Sequence, residues 1–185
     1  MIRIIAGDAK GRKLYGPRGQ AFRPTTGRVK EFLFSYLGDS IYEGWLLDLF
    51  SGSGAVGLEA LSRGTPGVVF VEQSSPNLSI LRRNVELCGF SDRVRIVRGD
   101  VFSVLRKHTF TSGEFGTIIA DPPFKMNFRE RIVAGVEKSR ALGRNGVLII
   151  EHEMKDEDSG NHGMRLVKQR RFGHCVVSVY QGEYK

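Results

Sequence analysis

The chain has 185 residues, of which 41% are hydrophobic and 26% charged, as expected for one soluble globular domain with a single substantial core. No apolar stretch approaches the roughly 20 residues that cross a bilayer, and the N-terminus MIRIIAGDAKGRK is unlike a signal peptide. We therefore expect a cytoplasmic protein without membrane association. Cys88 and Cys175 lack the spacing of a metal site and are predicted to be reduced thiols.

The net charge of +8 is concentrated near the N-terminus. Residues 1–30 hold eight basic residues and one acid, which gives +7 and leaves +1 for the other 155 residues. A solvated surface could explain the excess, but such concentration favours a face that binds a polyanion, and nucleic acid rather than membrane. The candidate RNA-binding residues are Arg3, Lys10, Arg12, Lys13, Arg18 and Arg23.

The first residues predict a small β-hairpin, with strands at 2–6 and 12–15 around a glycine-containing turn. We assign residues 1–24 to this basic extension and residues 25–185 to the main domain. A helix should follow, capped by Thr25 or Thr26. Its apolar face is predicted to consist of Val29, Phe32, Leu33, Tyr36 and Leu37.

From Trp45 onward, predicted strands alternate with predicted helices, which indicates a doubly wound α/β sheet. The strands are predicted at 45–50, 67–72, 93–98, 116–120 and 146–151, and the helices at 55–63, 76–88, 101–107 and 128–141. Apolar runs such as VVFV and VLII suit a parallel sheet covered on both faces. Residues 151–163 read as an acidic loop, and 164–172 with 174–181 as a C-terminal antiparallel hairpin.

The stretch Leu46–Gly57, LLDLFSGSGAVG, is typical of a buried strand, a tight turn and a helix start. Its glycines fit G-x-G-x-x-G, and Glu72 ends the next apolar run, 20 residues after Gly52. This spacing is that of a dinucleotide-binding turn, and it predicts a nucleotide-type ligand without identifying it. Four acids lie at predicted strand ends and should share one edge of the sheet: Asp48, Glu72, Asp100 and Asp121.

A second motif, Asp121-Pro122-Pro123-Phe124, directly follows the apolar run TIIA. The prolines stiffen the backbone and remove two N–H donors, which leaves carbonyl acceptors beside the Asp121 carboxylate. Phe124 adds a flat apolar ring. These residues predict acceptors for an amino group next to a platform on which a ring can stack.

These segments resemble class I S-adenosylmethionine-dependent methyltransferases with an (Asp/Asn)-Pro-Pro-(Tyr/Phe) motif, and among them the bacterial guanine-N2 methyltransferases of small-subunit ribosomal RNA. The matching segments, which span most of the chain, are IRIIAG, GRKL, RPTT, LDLFSGSGAVGLEALSRG, FVE and DPPF. The resemblance implies a Rossmann-like fold with a mostly parallel seven-stranded sheet and helices on both faces. It also implies methyl transfer from S-adenosylmethionine, S-adenosylhomocysteine as product and no metal. Residues 151–162 match poorly, and nothing is inferred for them.

The resemblance also implies which residues bind the cofactor. The loop containing Ser51, Gly52 and Gly54 would wrap the methionine end, with Asp48 near the ammonium group. Glu72 would accept hydrogen bonds from both ribose hydroxyls, which suits the two oxygens of a carboxylate.

The remaining implied roles concern the adenine ring and the target base. Asp100 would meet the adenine amino group with Val101 beside the ring, although Asp100 could also simply cap the following helix. Asp121 and the Pro122 carbonyl would accept the N–H groups of the target amine and orient its lone pair. Phe124 would stack on a guanine exposed in a loop or flipped from its helix.

Other functions fit the sequence less well. Adenine-N6 methylation of RNA or DNA is the main alternative, because the same motif suits either exocyclic amine. A glutamine methyltransferase would carry Asn-Pro-Pro-Tyr, a nicotinamide-dependent oxidoreductase would leave DPPF unexplained, and a non-catalytic RNA-binding module would leave the acids unexplained. We expect a monomer that acts on ribosomal RNA, free or in the assembling subunit; the sequence does not specify which guanine.

Overall fold

The computed structural model describes residues 2–17, 26–107, 110–123, 128–155, 160 and 163–182. The predictions made for Arg18, Arg23, Thr25 and Phe124 lie outside these residues.

The described chain forms nine strands and five α-helices, together with short 3₁₀ helices at Gly38–Tyr42 and Ser91–Arg93. The strands are β1 (Ile2–Arg3), β2 (Lys13–Leu14), β3 (Trp45–Leu49), β4 (Val68–Glu72), β5 (Val94–Arg98), β6 (Phe115–Ala120), β7 (Leu142–Glu153), β8 (Met164–Phe172) and β9 (Cys175–Gly182). The α-helices are α1 (Gly27–Leu37), α2 (Ala55–Ser62), α3 (Ser75–Cys88), α4 (Val101–Arg106) and α5 (Phe128–Ser139).

Strands β3 to β9 form one sheet in the order β5-β4-β3-β6-β7-β9-β8. The five strands from β5 to β7 are parallel, and β9 lies antiparallel between β7 and β8. The predicted Rossmann-like α/β fold, with its seven-stranded sheet and C-terminal hairpin, is therefore confirmed.

Each face of the sheet is covered by helices, which gives two hydrophobic cores. One core contains side chains of α1, α2 and α3, including Phe32, Leu58 and Leu81. The other contains side chains of α4 and α5, including Val104 and Ile132. The apolar side chains alternate between the two cores along each central strand, as a sheet buried on both faces requires.

The N-terminal segment packs against the first core. Strands β1 and β2 pair antiparallel, as the predicted hairpin requires, and Ile2, Ile4 and Leu14 are buried. At Gly7 (φ 79°) an added Cβ would lie 1.6 Å from the Ser62 carbonyl oxygen, so the turn approaches α2 more closely than any side chain allows. The hairpin is thus held to the surface of the sheet domain.

Helix caps explain several element boundaries. The Thr26 hydroxyl accepts a hydrogen bond from the N–H of Val29 at 3.3 Å and begins α1, as one of the two predicted caps. Ser74 caps α3, so this helix begins one residue before Pro76. No helix within the described part of the chain is long and apolar enough to span a membrane.

Two local predictions are wrong. Helix α5 ends at Ser139 and β7 begins at Leu142, because the chain through Gly143 and Gly146 continues the pairing with β6 beyond an irregularity in register. Strand β7 also extends to Glu153, so residues 151–153 belong to the sheet and not to an acidic loop. The predicted apolar face of α1 is confirmed: Val29, Phe32, Leu33 and Leu37 are buried, and the half-buried Tyr36 packs against the same core.

The side chain of His152 shows why β7 continues beyond residue 151. This side chain is buried, and its Nε2 lies 2.7 Å from the Ser178 hydroxyl of β9. A buried imidazole with a polar partner is satisfied inside the sheet. His152 therefore has a structural environment.

Candidate functional site

The candidate site lies where the strand order of the sheet reverses. From β3 the chain continues to β4 and β5 on one side, whereas β6 and β7 lie on the other. Such a point opens a crevice at the carboxyl ends of the strands, where α/β proteins bind ligands. Leu49 of β3 is opposite Ala120 of β6, so the glycine turn and Asp121 start from neighbouring strand ends, about 4.8 Å apart.

The chain leaves β3 through a sharp turn with three residues in the left-handed region: Phe50 (φ 60°), Gly52 (φ 54°) and Gly54 (φ 78°). The hydroxyl of Ser51 donates to the carbonyl oxygens of Asp48 (2.6 Å) and Val71 (3.1 Å). This serine therefore ties the turn to β3 and β4. Its hydroxyl is used to shape the loop, a role that the sequence did not predict.

Two of the glycines are required by packing as well. A Cβ at Gly54 would lie 2.3 Å from Cδ1 of Leu81, and a Cβ at Gly57 would lie 2.4 Å from the Phe70 ring. At Gly52, by contrast, the closest atom would be 3.9 Å away. Gly54 and Gly57 thus permit α2 to lie against the sheet and α3, whereas Gly52 faces open space beside the crevice.

Glu72, at the end of β4, binds the glycine turn directly. Its carboxylate accepts hydrogen bonds from the N–H groups of Gly52 (2.8 Å) and Ser74 (2.7 Å), with the Asn77 amide nitrogen at 3.4 Å. The side chain is 7% exposed. These bonds fix both oxygens at the crevice: Oε2 accepts from Gly52 and Asn77, and Oε1 accepts from Ser74 and keeps a further lone pair for a ligand hydroxyl.

Asp48 lies beneath the same turn. Its side chain is buried, and one oxygen accepts the N–H of Gly57 at 3.0 Å, which holds the first turn of α2. Burial, with a smaller contribution from the Glu72 charge, raises the pKa of Asp48 to about 7, although the hydrogen bond from the Gly57 N–H lowers it in part. Two acids beside one loop disfavour a pyrophosphate and favour a ligand that carries positive charge.

At the end of β5 the structure supports the simpler interpretation of Asp100. Its carboxylate accepts the N–H of Ser103 at 2.9 Å and caps α4, while the side chain remains exposed. Val101 is buried in the second core. Capping leaves an exposed oxygen of Asp100 accessible to a ligand amino group, so the two roles are compatible.

The second motif begins directly after β6. Asp121 is half-buried, Pro122 is buried and Pro123 is exposed. Of the residues that the resemblance assigned to the target base, Asp121 and Pro122 directly follow β6 at the crevice. Phe124, expected to stack on that base, lies outside the described residues.

An aromatic cluster at the crevice was missed by the sequence analysis. Phe50 stacks on Phe128 with ring centroids 6.0 Å apart, and Phe102 packs edge-on against both, at 6.0 and 5.3 Å. The Arg131 guanidinium lies 3.8 Å from the centroid of the Phe102 ring. Phe50 follows β3, Phe102 lies in the first turn of α4 and Phe128 begins α5. Because the three rings are far apart in sequence, their contact is visible only in the three-dimensional structure.

The candidate RNA-binding residues within the described chain are all exposed: Arg3, Lys10, Arg12 and Lys13. The Arg12 guanidinium also donates to the Leu87 carbonyl near the end of α3, so this residue helps to hold the hairpin. Lys30, which contributes to the N-terminal charge, is buried in an ion pair with Glu59. Its charge is therefore not available to a polyanion.

Among the residues the structure describes, no group of three or more histidine, cysteine or acidic side chains is arranged to hold a metal ion. Cys88 and Cys175 are both buried and unpaired with each other. Burial raises the pKa of the Cys88 thiol, which suits an unreactive cysteine.

Comparisons with known proteins identify the family of the chain. The sequence family described as "Conserved hypothetical protein 95" matches residues 2–181. Over 183 residues the chain is 34% identical to Ribosomal RNA small subunit methyltransferase D of Escherichia coli K12, covering 98% of this chain and 90% of that protein. The solved structure of the Escherichia coli methyltransferase candidate yhhF matches with a TM-score of 0.87 at 31% identity, over 100% and 99% of the two chains. An RNA methyltransferase from Salinibacter ruber in complex with S-adenosyl-L-homocysteine shares the fold, with a TM-score of 0.67 at 16% identity over 88% and 96% of the two chains.

Proposed function

Because the chain belongs to the family of small-subunit ribosomal RNA methyltransferases, we propose that it transfers a methyl group from S-adenosylmethionine to the N2 amine of a guanine in that RNA. The observation that carries the proposal is the adjacency of two strand ends. The glycine turn with its acids follows β3, and Asp121 with Pro122 follows the neighbouring β6. One crevice can therefore hold a cofactor and a target amine side by side.

The cofactor side suits a cationic nucleoside. S-adenosylmethionine carries an ammonium group and, when bound, supplies a methyl group activated by a positively charged sulfur. Asp48 lies beneath the turn formed by Ser51, Gly52 and Gly54, and its charge would favour that ligand. Glu72 would accept the ribose hydroxyls.

The other residues of the crevice would complete both ends of the site. Asp100 would accept the adenine amino group, with Val101 beside the ring. Asp121 and the Pro122 carbonyl would accept the two N–H bonds of the exocyclic amine, which directs its lone pair and offsets charge developing on nitrogen. Phe124 would stack on the base.

The exposed basic residues of the N-terminal hairpin would bind the RNA backbone. The protein would act in the cytoplasm, on ribosomal RNA that is free or part of the assembling small subunit. These basic residues are Arg3, Lys10, Arg12 and Lys13, and the same role is proposed for Arg18 and Arg23, which lie outside the described residues. Because the hairpin packs on α2, which begins at the glycine turn, phosphate binding there would present a nearby base to the crevice.

Methylation of small-subunit ribosomal RNA from a strain lacking the modification tests the proposal. The purified protein should convert guanosine to N2-methylguanosine with S-adenosylmethionine, identified by mass spectrometry after digestion. Formation of N6-methyladenosine would instead establish the alternative reaction, and no methylation of RNA or subunits would contradict the proposal.

Variants separate the two sides of the crevice. Glu72→Gln should weaken S-adenosylmethionine binding by about tenfold or more, because a charged hydrogen-bond partner contributes ~1.5–3 kcal/mol. Asp121→Ala should bind the cofactor normally but lose about 10²–10³ in single-turnover rate, as when one charge-stabilising donor is removed. Asp92→Ala removes an exposed acid before β5 and is the matched control. It should change neither the affinity for S-adenosylmethionine nor the single-turnover rate.

A further inference from the structure

Strand β8 carries a second concentration of positive charge that the N-terminal hairpin does not explain. Its sequence, MRLVKQRRF, has four basic residues and no acid, and it forms an edge of the sheet. The four are exposed: Arg165, Lys168, Arg170 and Arg171.

An irregularity in pairing orients two of these charges. Between Leu166 and Lys168 the register with β9 shifts, so Lys168 lies opposite Val179 and Arg170 opposite Val177. Val177 and Val179 belong to the core beneath α1. Side chains two residues apart in a strand share a face, so Lys168 and Arg170 lie together, and the extra residue places them on the face next to α1.

Aromatic rings hold both cations on that face. The Lys168 amino group lies 5.5 Å from the Tyr36 ring centroid and 5.9 Å from that of Phe32. The Arg170 guanidinium lies 5.2 Å from Phe32 and 5.3 Å from Phe172. Such contacts fix a cation while it keeps its charge, and within the described chain neither side chain forms an ion pair.

The strand direction places this face at the end of the sheet that holds the candidate site. Both β7 and β8 are antiparallel to β9, so β8 runs parallel to β6 and β7. Phe172, which ends β8, is therefore at the same edge of the sheet as Asp121. Three strand spacings separate β6 from β8, or about 14 Å.

Helix α1 also links this face to the N-terminal hairpin. Phe32 and Tyr36 contact the two cations, and the Lys30 amino group of the same helix donates to the Arg3 carbonyl at 2.8 Å. Basic residues thus lie on both sides of α1: those of the hairpin on one side, and Lys168 and Arg170 on the other.

We propose that Lys168 and Arg170 form a second RNA-backbone contact, which binds phosphates that flank the target nucleotide. The inference rests on the proposed function, since it assigns part of the substrate to a surface beside the same site. Charge on an edge strand can also serve only to prevent edge-to-edge pairing. That role requires charge along the edge, but it does not require two cations fixed on one face by aromatic rings.

Salt dependence of RNA binding distinguishes the two roles. Lys168→Gln/Arg170→Gln should weaken binding to a small-subunit ribosomal RNA fragment and reduce the slope of log affinity against log salt by about 1.4, at about 0.7 per phosphate contact on a single strand. Arg106→Gln/Lys107→Gln removes the same charge at the end of α4 away from the crevice and should keep the wild-type slope. Lys168→Arg/Arg170→Lys keeps both charges and should also show the wild-type slope.

Fluorescence anisotropy with labelled RNA gives the slopes, and calorimetric titration with S-adenosylmethionine checks that each variant is folded. A wild-type slope in Lys168→Gln/Arg170→Gln would overturn the proposal. So would a slope that is reduced equally in this variant and in the control Arg106→Gln/Lys107→Gln. If that variant keeps the wild-type slope while the wild-type protein methylates RNA, only this proposal fails. If the wild-type protein neither binds nor methylates RNA, the proposed function fails as well.

Discussion

The buried side chain of Asn84 joins Tyr15 of the N-terminal segment to Ser53 of the glycine turn. Its Oδ1 accepts the N–H of Tyr15 at 2.8 Å, and its Nδ2 donates to the carbonyl oxygens of Tyr15 and Ser53, both at 2.9 Å. One amide on α3 thus satisfies three backbone groups. The segment proposed to hold RNA and the loop proposed to hold the cofactor share this connection.

Replacing Asn84 with alanine should therefore destabilise the protein and loosen both segments. Three hydrogen bonds are lost, one buried and two part-buried, at about 1 kcal/mol each, so we expect a loss of ~2–4 kcal/mol in the free energy of unfolding in urea. Asn77→Ala is the matched control on the same helix, because that side chain makes one long contact, to Glu72 at 3.4 Å. Equal losses in the two variants would contradict the importance of the Asn84 connection.

The glycines of the turn should tolerate alanine to different degrees. Both Gly52 and Gly54 have positive φ, which costs an L-residue roughly 1–2 kcal/mol. Only at Gly54 does the new methyl group also overlap Leu81. We expect Gly52→Ala to lose about 1–2 kcal/mol of stability and Gly54→Ala at least about 1 kcal/mol more, because overpacking adds its own cost.

A double variant tests the assigned cause. Gly54→Ala/Leu81→Ala should recover part of the stability relative to the sum of the two single variants, since the overlapping atom is removed. Thermal unfolding of the four proteins gives the coupling energy. Strict additivity of the two changes would rule out the overlap.

Local sequence patterns predicted most of the sheet because its central strands are continuous apolar runs between clear turn residues. The glycine turn and the acids at strand ends were also predictable, because each follows directly from a strand end. Residues 142–145 were left out of the predicted strand, since Gly143 suggests a turn but lies here within an irregular strand. His152 was assigned to a loop because its partner Ser178 is distant in sequence.

Properties that depend on long-range contacts could not be predicted. Lys30 was counted as part of the basic N-terminal charge, yet it pairs with Glu59 inside the protein. The cluster of Phe50, Phe102 and Phe128 forms only when three chain segments meet at one edge of the sheet. Sequence spacing contains no signal for either arrangement.

Glu59 should be the most sensitive position for the attachment of the hairpin. Its fully buried carboxylate accepts the N–H groups of Ile5 (2.7 Å) and Ala6 (3.0 Å) and contacts Lys30 and Arg63 at 3.3 and 3.0 Å. Glu59→Ala leaves a buried lysine without its acid, so we expect a loss of about 3–5 kcal/mol.

Hydrogen exchange tests whether that loss occurs at the hairpin. The amides of Ile5 and Ala6 should exchange faster in Glu59→Ala than in the wild type. Glu31→Ala, which removes an exposed acid from α1, should leave them protected. Unchanged protection of both amides in Glu59→Ala would show that the carboxylate does not anchor the hairpin.

Asp48 should make stability and cofactor affinity depend on pH. Its folded pKa of about 7 lies above the value of 3.8 for an unperturbed aspartate, so the folded protein holds a proton that the unfolded chain has released. Stability should therefore fall as pH rises from about 4 to 7 and then level off, by ~4 kcal/mol at about 1.4 kcal/mol per unit. Asp48→Asn can still accept the Gly57 N–H but cannot ionise, so this contribution should disappear.

The same proton should be released when the cationic cofactor binds, because a positive charge near Asp48 favours the carboxylate. S-adenosylmethionine affinity of the wild type should then rise between pH 6 and 8, whereas that of Asp48→Asn should stay level. Calorimetry in buffers of different ionisation enthalpy measures the protons released per ligand bound. Zero release by the wild type near pH 6.5 would mean that the bound ligand places no positive charge near Asp48, and the assignment of the methionine end to this turn would be wrong.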